Sequence, residues 1–265
     1  MNDDQAFWFK QDPNSPLYSD LIWSRPENKQ HAGKLLIVGG SQNSFKEVNE
    51  AYSVAIDAGI GVCNLLLPMS LEKLLKKIMP SAQFGPSTIS GSFARRSLDL
   101  LSEMSYWADG VLIAGDIGKN SETAVMFESF LDKYEDQITY VNDAIDLIIV
   151  NPTLALSKPN VNLILTFAQL QKLATSSKFA AAFTSSMDLI RMAQTLHRFT
   201  TTHKVSIVTY YSGHVFVAAD SKVSTTKMNF GEAWATDLAA RSSVWELQNK
   251  GKTFEALSSC FLVTD

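Results

Sequence analysis

Three short polar turns at the ends of apolar runs, and one carboxylate late in the chain, are the residues that could do chemistry. Gly39, Gly40 and Ser41 follow the run Leu35–Val38, Gly115, Asp116, Ile117 and Gly118 follow Val111–Ala114, and Asn142 with Asp143 follows Ile138–Val141. Asp237 lies in the turn-to-helix region that closes the chain. Glycine leaves backbone N–H groups open to close approach by an anion, above all where a strand hands over to a helix whose first N–H groups are unpaired. In an open α/β sheet ligands bind beyond the carboxyl ends of the strands, where such loops converge and helix N-termini face the crevice. The expectation from these residues is a ligand site in the loops after the strands. Each feature also has a plainer use: Gly-Gly-Ser as a tight turn, Asp143 as a helix N-cap, and Asp237 as a solvent-facing helical carboxylate.

No other constellation competes. The two cysteines, Cys63 and Cys260, are far apart, no Cys/His cluster has ligand spacing, and no protein-built metal site is expected. His197 and His203 flank the end of an expected helix, where a cationic ring would favour the negative pole of the dipole. Tyr210, Tyr211 and Phe216 fit cross-strand packing better than a base-stacking platform.

The elements that must position these turns alternate. The apolar run at 34–39, a helix with Ala51, Val54, Ala55 and Ala58 at helical spacing, and the strand at 62–68 make one βαβ unit. Further alternation follows through strands near 110–115, 138–143 and 163–166 and helices near 70–78, 92–108, 121–135, 167–174 and 186–199. Such alternation predicts an α/β fold with a mostly parallel sheet covered on both faces. Three β-rich runs, at 205–211, 213–219 and 222–226, predict antiparallel strands at the sheet's edge, and two helices, near 232–248 and 254–261, end the chain. Residues 1–33 read as an N-terminal arm, packing Trp8, Tyr18 and Trp23 on the surface of one domain that runs from 34 to 265 and offering a subunit contact.

Composition excludes several classes. With 46% hydrophobic and 19% charged residues the 265-residue chain can bury a large core without staples. A net charge of -4 leaves no basic patch for nucleic acid; Lys73, Lys76 and Lys77 read as the wet face of a helix. The acidic, proline-interrupted start lacks the basic residues and apolar run of a secretory signal, and no segment approaches the roughly 20 apolar residues of a membrane span. A soluble cytoplasmic protein with no membrane partner is expected.

Taken in order, the landmarks resemble the ADP/ATP-dependent NAD(P)H-hydrate dehydratases, relatives of ribokinase and the small vitamin kinases. His31-Ala32-Gly33 before LLIVGGS looks like the family's H-K-G segment and first strand, and DAGIGVCNLLLP looks like its R-A-G-A-G helix end and second strand. AGDIG stands at G-P-G-L-G, YVNDAI at L-D-A-D-A-L, TYYSGHVFVA at the L-K-G segment with its hairpin, and AWATDLAA at G-G-S-G-D-V-L-A. The resemblance runs from His31 to Val263. It implies a ribokinase-like three-layer α/β/α sandwich, mostly parallel with an antiparallel edge hairpin, and assembly as a homo-oligomer.

It also implies an activity: ATP or ADP with Mg2+ phosphorylates the hydroxyl of an NAD(P)H hydrate, and loss of phosphate restores the dinucleotide. Asp237 would be the catalytic base. Gly231, Ala235, Thr236, Tyr211 and Ser212 would face the nucleotide and its phosphates, and Gly39, Gly40, Ser41, Gly115, Asp116, Gly118 and Asp143 the substrate. The departures carry equal weight. Ala233, Trp234, Ala235 and Thr236 replace the glycines before the aspartate, Tyr211 and Ser212 replace Lys-Gly, Asp116 brings a carboxylate where glycine would stand, and the P-H-P-G-E loop is missing after Thr166. These changes imply a member with weakened or lost catalysis. The alternatives are a degenerate nucleotide-binding or structural pseudoenzyme and a ribokinase-like small-molecule kinase.

Overall fold

A computed structural model describes residues 6–231 and 233–262. Among them lie strands β1 (Trp8–Gln11), β2 (Lys34–Gly39), β3 (Val62–Pro68), β4 (Ala82–Gly85), β5 (Gly110–Gly115), β6 (Gln137–Val141), β7 (Val161–Thr166), β8 (Ser206–Tyr211), β9 (His214–Ala219) and β10 (Lys222–Lys227). The helices are α1 (Ser19–Trp23), α2 (Lys46–Asp57), α3 (Glu72–Leu75), α4 (Ser97–Trp107), α5 (Ser121–Lys133), α6 (Ala144–Val150), α7 (Pro152–Leu156), α8 (Phe167–Ser176), α9 (Leu189–Thr202), α10 (Trp234–Gln248) and α11 (Thr253–Ser259).

All ten strands form one sheet in the order β1-β10-β9-β8-β7-β6-β5-β2-β3-β4. From β8 to β4 every pairing is parallel, and β8-β9-β10 is the expected antiparallel meander. Leu36 and Val38 of β2 point to one core with Val111 and Ile113 of β5, while Leu35 and Ile37 point to the other with Leu112 and Ala114. Both faces are covered, so the central strands are apolar without alternation. Helices α4 to α9 cover one face, and α1, α2, α3, α10 and α11 the other. No helix among the described residues is long and apolar enough to cross a membrane.

Several local expectations need correction. The N-terminal residues do more than lie on a surface: β1 is an edge strand, parallel to β10, and Trp8 Nε1 donates to Thr225 Oγ1 at 3.0 Å. Trp23 does not pack, being 86% exposed. The helix expected from 92 begins at 97, the segment 70–78 forms only a 3-10 turn and the four-residue α3, and the strand expected to run to 143 stops at Val141, where α6 and α7 follow. His197 lies in the last turns of α9 and His203 is its C-cap. Burial lowers both pKa values; His197 stacks on Phe7 with centroids 4.1 Å apart, and His203 packs on Phe199 at 4.6 Å.

Candidate functional site at the carboxyl edge of the sheet

The carboxyl ends of β2, β5 and β6 meet the amino ends of α2 and α10, and most of the expected residues converge there. Gly39 is a packing glycine: a Cβ there would sit 2.5 Å from the Gly115 carbonyl oxygen and 2.8 Å from Val48 Cγ2. The N–H groups beyond it are already used. Gly40 N–H donates to Gly115 O at 3.0 Å, Ser41 N–H to Ser44 O at 2.8 Å, and Gln42 N–H to Gly91 O at 3.0 Å. A Cβ on Gly118 would collide with the Ser92 hydroxyl, the end of a side chain rather than backbone.

Two non-glycine residues adopt left-handed backbone here, Asp116 and Asn142, each with φ of 56°. Asn and Asp tolerate that region because their short polar side chains bond locally. Asp116 Oδ2 accepts from Ser44 Oγ at 2.8 Å and from the Glu47 N–H at 3.1 Å, so it caps the first turn of α2. The new carboxylate at 116 is held by the protein's own donors.

Asn142 is the hub. Its Nδ2 donates to Glu47 Oε2 at 2.8 Å, to Thr236 Oγ1 at 2.9 Å and to Ala114 O at 3.2 Å, while its carbonyl accepts from Gln169 Nε2 at 2.8 Å. The Thr236 hydroxyl also donates to Glu47 Oε2. Gln169 belongs to a capping box with Thr166, so β7 passes straight into α8 without an intervening loop.

Asp143 occupies the N-cap position of α6 but makes no capping bond. Its carboxyl faces Gly115, where a Cβ would lie 3.1 Å from Oδ1. Burial raises its pKa first; the Asp116 charge adds to this, and the backbone N–H groups of Ile117, Gly118 and Asp116 oppose it. Glu50, one turn along α2 from Glu47, is likewise raised by burial, then by the charges of Glu47 and Asp237.

Asp237 sits in the first turn of α10, paired with Arg241: Nε lies 3.0 Å from Oδ2 and 3.2 Å from Oδ1. Thr236 and Ala235 are buried, whereas Ala233 and Gly231 are exposed and Gly231 has open space where a Cβ would go. Glu232 lies outside the described residues. Tyr211 and Ser212 stand apart on the β8-β9 hairpin. Tyr211 donates to Ser185 O and Met187 O, both at 2.9 Å, and stacks on Phe167 at 4.5 Å; Ser212 is a left-handed turn residue. Tyr210, its neighbour, reaches α10 instead, 5.8 Å from the Trp234 ring.

Sequence reasoning singled out the glycines and aspartates but missed Glu47, Ser44, Gln169 and Arg241. Glu47 has no local signature beyond following the Gly-Gly-Ser turn. Arg241 had one, because an Asp and an Arg four residues apart on a helix form a natural pair.

No protein-family model matches the sequence, and no curated protein matches it. Solved structures do. A ribokinase-like superfamily protein from Enterococcus faecalis superposes with a TM-score of 0.71 at 14% identity, covering 95% of this chain and 85% of that one. The ADP/ATP-dependent NAD(P)H-hydrate dehydratase from Bacillus subtilis, co-crystallised with ATP/Mg2+, gives 0.62 at 11% identity over 92% and 85%. The pyridoxal kinase from Staphylococcus aureus in complex with AMP-PCP gives 0.53 at 13% identity over 86% and 85%. The fold is ribokinase-like.

Proposed function

We propose that this chain is a nucleotide-binding protein of the NAD(P)H-hydrate dehydratase kind whose phosphoryl-transfer centre is held shut by its own side chains. The observation that carries this reading is a double lock at the amino end of α10: Glu47 takes the Thr236 hydroxyl, and Arg241 takes the Asp237 carboxylate. A general base must reach the proton it removes, and a base held by a guanidinium is a poorer acceptor. In this reading a phosphoryl group transferring beside Thr236 would meet the Glu47 carboxylate where it needs positive potential.

Support for nucleotide binding comes from the exposure of Gly231 and Ala233 ahead of α10, and from structural neighbours co-crystallised with ATP/Mg2+ or in complex with AMP-PCP. Magnesium would arrive on the nucleotide phosphates, because the described residues include no group of three or more His, Cys, Asp or Glu able to hold a metal. An NAD(P)H hydrate would lie against Gly39, Gly40, Ser41, Gly115, Asp116, Gly118 and Asp143, and the resemblance extends the proposal to a homo-oligomer.

Calorimetric titration of ADP, ATP and NADH with magnesium, followed by the NADH-hydrate repair assay on the same batch, tests the reading. Nucleotide binding without recovery of NADH absorbance is expected. Recovery at ordinary enzyme rates refutes the lock, and absence of nucleotide binding to folded protein refutes the binding role. Phosphorylation without dehydration would favour a small-molecule kinase, the reading that the pyridoxal kinase neighbour supports.

A further inference from the structure

Away from the carboxyl edge, a cavity of about 110 Å³ lies between α5, β6, α6 and α7. It lies where the chain leaves helical geometry at Asn151 (φ -137°, ψ 80°) before Pro152 starts α7. Phe127, Leu131, Leu147, Ile148, Leu154 and the Tyr140 ring form its walls. An apolar cavity somewhat larger than this, about 150 Å³, accepts a guest the size of benzene.

The mouth is different. Its exposed lining includes Glu128 of α5, which accepts a hydrogen bond from Asn151 Nδ2 at 2.6 Å. Among the described residues Glu128 forms no ion pair, so its carboxylate has no protein cation to answer it. An apolar chamber with an unpaired carboxylate at its opening complements a molecule with an apolar body and a cationic end.

We propose that this cavity binds a small primary amine whose body is about one six-membered ring, the ring inside and the ammonium at Glu128. None of the wall residues belongs to the candidate nucleotide site, so the cavity is a separate site.

The test is titration of the full chain with benzylamine, benzyl alcohol and benzoate, followed by NMR. Benzylamine should bind up to about fivefold more tightly than benzyl alcohol, as a solvent-exposed ion pair allows, and benzoate more weakly than either. Glu128→Gln should remove the preference for the amine and keep the alcohol's affinity. Ala124→Leu, which extends a wall residue into the chamber, should abolish both, with Leu154→Phe as the second filling variant if the first does not fold. Equal affinity for amine and alcohol in the unaltered protein overturns the proposal. So does binding that survives the filled cavity, or no binding of any probe at millimolar concentration to folded protein.

Discussion

Arg241 presents one nitrogen to both oxygens of Asp237, 3.0 Å from Oδ2 and 3.2 Å from Oδ1, one turn along the same helix. The ordinary geometry of a helical ion pair therefore decides what the expected catalytic carboxylate is free to do. At side-chain exposures of 34% and 22% the pair is only partly shielded from water. Its worth to stability is modest even though its effect on an incoming hydroxyl would be direct.

Replacing Asp237 by Ala should leave nucleotide affinity unchanged within about twofold and lower stability by about 1 kcal/mol or less. Calorimetry and urea unfolding read the two effects. A tenfold loss of affinity would place the carboxylate against the ligand and break the lock.

Glu47 and Thr236 should behave as one unit. Glu47→Ala leaves the Thr236 hydroxyl without its acceptor while the Asn142 amide keeps Thr236 and Ala114, and Thr236→Val removes two bonds, one to Glu47 and one from Asn142. Each change should cost about 1–3 kcal/mol, with a coupling of about 0.5–3 kcal/mol in the double variant. Additive losses in urea unfolding would show that the two side chains act independently.

Two glycines at the proposed site should respond in opposite ways. Gly39→Ala drives a methyl against the Gly115 carbonyl and Val48, and should destabilise by about 1–3 kcal/mol. Gly231→Ala meets open space and should change stability by no more than about 0.5 kcal/mol. Thermal melts of both variants settle the comparison, and a stable Gly39→Ala protein would mean that the β2 and β5 ends are less tightly joined.

The acidic groups on α2 predict a pH dependence. Because Glu50 has a raised pKa in the folded protein, the native state holds the proton where the unfolded chain has released it. Its contribution is therefore most favourable at acid pH and is lost as pH rises from about 4.3 through the folded value. Glu50→Gln should be more stable than the unaltered protein at pH 7, with the advantage shrinking toward pH 4. Urea midpoints at pH 4, 5.5 and 7 give the sign, and a variant less stable at pH 7 would contradict it.

Most of the parallel sheet was legible because β2, β5 and β7 are buried on both faces, and a short continuous apolar run is what such burial requires. The hairpins at β8, β9 and β10 were legible from their turns and β-branched residues. Helix α6 was not: Ile-Ile-Val favours a strand by local preference, and only the left-handed Asn142 and the burial of Ile145 and Ile148 one turn apart make it a helix. The pairing of β1 with β10 joins residues more than two hundred positions apart, and no local pattern reports such a partner.

The same division runs through the candidate site. Glycines and carboxylates at strand ends are marked in the sequence because the backbone needs those residue types for tight turns and helix starts. By itself the sequence determined an α/β alternation, an antiparallel edge and the loops where a ligand would be met. Only the tertiary structure decided the state of those loops. The packing of α2 against α10 carries Glu47 to Thr236 across 189 positions, and the N–H groups of Gly40, Ser41 and Gln42 are taken by the carbonyls of Gly115, Ser44 and Gly91. Hydrogen-bond donors serve whichever acceptor is delivered to them in space, and in this chain the acceptors come from the protein itself.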